Sequence, residues 1–98
     1  MRLPLTVHVG FKARLRAENR VQIPRSIRWE HRLDPEHVLR VRVKLADAIG
    51  GGEEFYGRIR RDGRLAIPRL VMNLLCRNYD QKSLIGEVFE VSLEPAKA

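Results

Sequence analysis

The sequence predicts a mainly β fold with short helices, in which two β-β-α-β repeats close six strands into one pseudo-twofold barrel. Three observations carry that expectation. Residues 11–25 align with residues 55–69 at an offset of 44, and seven of the fifteen positions are identical: Phe11 with Phe55, Arg14, Arg16 and Arg20 with Arg58, Arg60 and Arg64, then Ile23-Pro24-Arg25 with Ile67-Pro68-Arg69. Apolar residues alternate through the segments before and after each aligned run, which is the period of strands buried on one face. Each repeat is also too small to bury its own apolar faces, so the two must share a core. The 98 residues then form a single domain, with repeat one at about 5–45, a linker at about 46–53 and repeat two at about 54–95.

The first strand runs from Leu5 to Leu15, with Val7, Val9, Phe11 and Ala13 on its apolar side. Glu18-Asn19 and Asp62-Gly63 supply the residues a tight turn accepts at positive φ, and each leads into a short strand, Arg20 to Ile23 and Arg64 to Ile67. Pro24 and Pro68 end those strands, because proline donates no ladder hydrogen bond but suits the start of a helix. Helices follow at Arg25 to His31, anchored by Ile27 and Leu33, and at Arg69 to Cys76, where Leu70, Val71, Leu74 and Leu75 share a face. Trp29 is read as partly buried packing rather than a stacking platform, and Cys76 as a small apolar residue on the buried side of its helix. A turn at Leu33-Asp34-Pro35-Glu36 leads to the third strand at Val38 to Val43, and its counterpart is Val88 to Leu93, at an offset of 50. The extra residues of repeat two fall in the polar stretch Asn78 to Ser83, and Gly50-Gly51-Gly52 forms a flexible joint between the copies.

Composition narrows the function. No run approaches the roughly 18 apolar residues of a membrane span and the start lacks a signal-peptide core, so a cytoplasmic protein without membrane attachment is expected. One cysteine makes neither an internal disulfide nor a thiolate metal site. His8, His31 and His37 show no ligand spacing, Ser26 and Ser83 have no evident base, and the glycine run lacks the Lys-Ser/Thr of a P-loop. The reading is therefore a protein that is not an enzyme and needs no metal or cofactor.

Nineteen Lys and Arg, fifteen of them Arg, against twelve Asp and Glu give a net charge of +7 and favour a polyanionic partner. With the apolar alternates inward, Lys12, Arg14, Arg16 and Arg20 face outward in the first hairpin, and Arg58, Arg60, Arg61 and Arg64 in the second. The third strand of repeat one adds Arg40, Arg42 and Lys44, while that of repeat two presents Glu87, Glu90 and Glu94. Residues 1–49 hold eleven basic and five acidic residues and residues 50–98 hold eight and seven, so a basic side and a nearly neutral side are expected. These arginines are the candidate nucleic-acid-binding residues, placed to follow a phosphate backbone.

The runs Asn19-Arg20-Val21-Gln22-Ile23-Pro24-Arg25 and Asp62-Gly63-Arg64-Leu65-Ala66-Ile67-Pro68-Arg69 resemble the Gly-Arg-hydrophobic-x-Ile-Pro hallmark of AbrB-like swapped-hairpin proteins. Two units in one chain also look like the archaeal-type RIFT barrels of the cradle-loop superfamily. The family's Pro-Gly-Asp is replaced here by Pro35-Glu36-His37, and repeat two lacks that proline. The resemblance implies a cradle-loop barrel and a DNA-binding transcriptional regulator, with DNA favoured over RNA and the chain acting as a monomer or weak homodimer. An RNA- or ribosome-associated accessory protein and a protein-interaction module are the alternatives.

Overall fold

Each expected strand and helix forms close to its expected place, but the six strands do not close into a barrel. The computed structural model describes residues 8–33, 35 and 38–96. The start of the first strand at 5–7, and Asp34, Glu36 and His37 of the turn, lie outside the described residues. Along the chain come β1 (Val9–Arg14), β2 (Arg20–Gln22), α1 (Arg25–Glu30), β3 (Val38–Leu45), β4 (Glu53–Arg58), β5 (Arg64–Ala66), α2 (Arg69–Asn78) and β6 (Val88–Pro95).

Their hydrogen bonds make a four-stranded antiparallel sheet of order β1-β6-β3-β4 and a separate two-stranded ribbon, β2-β5. The architecture is therefore mixed α/β with two open sheets, and the barrel is corrected on this point. Proline is the physical reason. Pro24 and Pro68 stop β2 and β5 at three residues each, and within repeat one a single bridge, Arg16 to Arg20, links the arms of the hairpin. Strands this short pair with each other and do not extend a ladder along β1 or β4, which remain the sheet's edges.

The repeats interlock. The first strand of each pairs with the third strand of the other, β1 with β6 and β4 with β3, and the third strands meet at the sheet centre. There Arg42 lies opposite Ser92, its repeat partner at the offset of 50, flanked by Arg40 opposite Glu94 and Lys44 opposite Glu90. A pseudo-twofold axis passes through that middle pair. The ribbon obeys the same symmetry: the Ile23 N–H donates to the Gly63 carbonyl and the Ile67 N–H to the Asn19 carbonyl, both at 2.9 Å. Each turn is thereby held by the other repeat.

Nineteen apolar side chains, among them Leu15, Val21, Ile23, Val41, Leu65, Leu75, Phe89 and Val91, are buried between the sheet, the ribbon and the helices, and no polar or charged residue is buried with them among the described residues. Gly57 lets the ribbon approach the sheet closely, since a Cβ there would stand 3.2 Å from Leu65 and 3.1 Å from the Phe55 ring. Cys76 is half-buried against this core.

Both helices end alike. After α1 the Leu33 N–H bonds the Arg28 carbonyl (3.1 Å) and the Arg32 N–H the Trp29 carbonyl (3.3 Å), with Arg32 left-handed at φ 50°. After α2, Gln81 to Cys76 (2.8 Å) and Asp80 to Arg77 (3.2 Å) repeat the pattern, with Asp80 at φ 52°. This is a Schellman ending, which satisfies carbonyls the last turn would otherwise leave open.

Candidate nucleic-acid interface

The eleven basic residues singled out by the sequence lie partly on the four-stranded sheet and partly at the ribbon, in different surroundings. On the outer face of the four-stranded sheet, Arg40 reaches Glu94 at 2.8 Å and Glu54 at 3.9 Å, Arg42 reaches Glu54 at 3.3 Å, and Lys44 reaches Glu90 at 3.8 Å. Arg42 also donates to the Gly51 carbonyl at 2.7 Å and Lys44 to the Ala48 carbonyl at 3.0 Å. The hydrogen bond and charge of Glu94, helped by Glu54, raise the Arg40 pKa above the ordinary arginine value. A raised pKa gives stability that is complete below the unfolded value and is lost only as pH climbs past it, so Arg40 stays paired across the neutral range. Arg40, Arg42 and Lys44 are thus members of a ladder of alternating sign. The basic side expected for repeat one does not form on this sheet, because β3 lies between β6 and β4 and their carboxylates interleave with it.

Around β1, Lys12 is exposed opposite Glu90 in register, and the Arg14 guanidinium donates to the Gly86 carbonyl. Arg58, at the end of β4, is exposed opposite Val38.

The second group collects at the ribbon. Arg16, Arg20 and Arg64 line one concavity of about 310 Å³ together with Ala17, Glu18 and Val21. They come from both repeats, and the β2-β5 pairing, with Gln22 opposite Arg64 and Arg20 opposite Ala66, brings them together. The turns are set by backbone chemistry. Glu18 and Asn19 take φ of 62° and 56° and Gly63 takes 82°, while the Arg16 N–H bonds the Arg20 carbonyl at 2.8 Å and the Arg60 N–H the Arg64 carbonyl at 2.9 Å. Arg60 and Arg61 stand exposed in the second turn. The carboxylates facing them stand at ion-pair distance without a side-chain hydrogen bond, Glu18 at 3.9 Å from Arg20 and Asp62 at 3.6 Å from Arg64, much as Glu90 stands from Lys44, and pairs this exposed contribute about 0–1 kcal/mol.

Helix α1 extends this end with residues that the sequence reading left out. The Arg28 guanidinium packs against the second turn so closely that a Cβ on Gly63 would lie 2.4 Å from its Cζ, and the buried Arg28 Nε meets no acceptor among the described residues. Next to it Trp29 is 79% exposed, which corrects its reading as packing. The signal was present: Ile27 is the inward residue of α1, and two positions at about 100° each turn Trp29 to the opposite side. No group of three or more His, Cys, Asp or Glu able to hold a metal occurs among the described residues, and no described helix is long and apolar enough to cross a membrane.

The fold and this end define a small two-sheet α/β domain carrying an arginine-lined ribbon. No family model and no curated protein matches the sequence. The chain is similar to the solution structure of PHS018 from Pyrococcus horikoshii, with a TM-score of 0.67 over 88% of each chain and 20% identity, a likeness that shows the fold. Neither the open sheets nor these comparisons support the AbrB-like or RIFT-barrel assignment, which short motif likeness around two Ile-Pro turns had suggested.

Proposed function

We propose that the chain is a non-enzymatic nucleic-acid-binding module that grips a phosphate backbone at the ribbon end with Arg16, Arg20, Arg60, Arg61 and Arg64. The observation that carries this reading is the meeting of Arg16, Arg20 and Arg64, from both repeats, around one concavity, with Glu18 and Asp62 at 3.9 and 3.6 Å from Arg20 and Arg64, outside side-chain hydrogen-bond distance. Guanidinium groups suit phosphate because their planar donors match its oxygens and they keep their charge at any working pH. The preference for DNA over RNA rested on the discarded family resemblance, so both polymers belong in the test.

Binding of labelled DNA and RNA oligonucleotides, followed by anisotropy across a salt series, tests the reading. If four to six phosphates are engaged, log affinity falls with log salt at a slope of about −3 to −5. Arg20→Gln with Arg64→Gln should weaken binding to both polymers at least tenfold, while Arg40→Gln with Arg42→Gln should change it far less. Affinity that is flat with salt, or equal loss in the two double variants, overturns it.

A further inference from the structure

A second concavity, of about 370 Å³, adjoins the ribbon end on α1, and its described lining is Arg28, Trp29, Arg32 and Leu33. Its size falls within the roughly 300–1,000 Å³ of small-ligand clefts. Among those residues it presents two guanidinium groups, one indole and no carboxylate; the nearby Glu30 faces His31 at 4.0 Å. Leu33 is the buried floor. Trp29, the chain's single tryptophan, is the most exposed aromatic residue described, whereas large aromatic side chains in small domains ordinarily supply core. An indole held open beside cations is the arrangement that stacks a base and holds its phosphate.

The cleft is joined to the arginine ribbon, since Arg28 packs on Gly63, between Asp62 and Arg64. Arg32 occupies the left-handed position of the helix ending, where glycine would be free of strain, so a charged side chain stands there at a conformational cost.

We propose that this cleft receives an unstacked nucleobase of a single-stranded nucleic acid, stacked on Trp29, with its flanking phosphates on Arg28 and Arg32 and the strand continuing to the ribbon arginines. The inference rests on the nucleic-acid reading above and adds a strand preference: bases in a duplex are already stacked and do not reach the indole.

Because the chain has one tryptophan, its emission reports this site alone. The full chain is titrated with oligothymidylate, with the matching duplex, and with polyglutamate as a polyanion without bases, while anisotropy reports binding separately. Oligothymidylate should quench Trp29 strongly and the other two should not. Trp29→Ala should lower oligothymidylate affinity about 5- to 150-fold, the equivalent of one stacked base, and Trp29→Phe should restore most of it. Arg32→Gly should weaken binding without lowering the melting temperature, because glycine suits that backbone position. Oligothymidylate binding with unchanged emission and full affinity in Trp29→Ala overturns the stacking site and leaves the phosphate grip standing. No binding to any oligonucleotide at low salt overturns both. Quenching by polyglutamate as strong as by oligothymidylate overturns the proposal in favour of an acidic protein partner.

Discussion

Gly63 serves two purposes that no other residue type meets together. Its φ of 82° is a conformation that costs an L-residue about 1–2 kcal/mol, and its missing side chain is the space that the Arg28 guanidinium fills. Gly63→Ala is therefore expected to destabilise the chain by at least about 1 kcal/mol and to push Arg28 out of the cleft. Chemical denaturation measures the first effect, and a changed Trp29 emission in the folded state measures the second. Asn19, at the equivalent turn, accepts its positive φ of 56° with a side chain. Sequence comparison of the two turns shows the shared need for positive φ but not the packing, which depends on a helix distant along the chain. Trp29 illustrates a related limit. Its direction follows from Ile27, yet a six-residue helix offers too few apolar positions for its buried face to stand out in the pattern.

Among the elements, strands and helices were legible because their signals are local: alternation in Val9 to Ala13, in Val38 to Val43 and in Val88 to Leu93, and Ile-Pro before each helix. Pairing was not legible. Whether Val21 meets its own hairpin or Leu65 of the other repeat is decided by long-range hydrogen bonds, and the three-residue limit set by the prolines only becomes decisive once both short strands are placed. The same limit hid the fate of Arg40, Arg42 and Lys44, which look free along the sequence until β6 and β4 flank them. Because Glu54 serves both Arg40 and Arg42, Glu54→Gln leaves two guanidinium groups side by side with one carboxylate fewer. The expected cost is a small drop in melting temperature, and it should shrink in high salt when melting is compared at low and high ionic strength. The ribbon behaves differently: Leu65 is fully buried beneath it, and Leu65→Ala should cost about 2–5 kcal/mol regardless of salt.

At the scale of the whole molecule, a net charge of +7 does not spread evenly but is sorted by pairing. On the sheet, Arg40 and Arg42 of repeat one hydrogen-bond carboxylates of repeat two; at the ribbon, arginines from both repeats converge with Glu18 and Asp62 beyond side-chain hydrogen-bond distance.

The central pair of strands has a consequence for the history of the chain. About an axis through Arg42 and Ser92, two copies of repeat one would set Arg42 against Arg42 and Arg40 against Lys44, and two copies of repeat two would set Glu90 against Glu94. Like charges placed directly opposite each other are destabilising, so each half now selects against its own kind. Severed at Gly51 and mixed, the halves should reassemble as a one-to-one heterodimer, and neither alone should give a folded homodimer at low salt; a stable homodimer of residues 1–50 in size-exclusion chromatography with light scattering would contradict this. The two copies are in this sense lock and key: each presents a surface that fits the other and not itself.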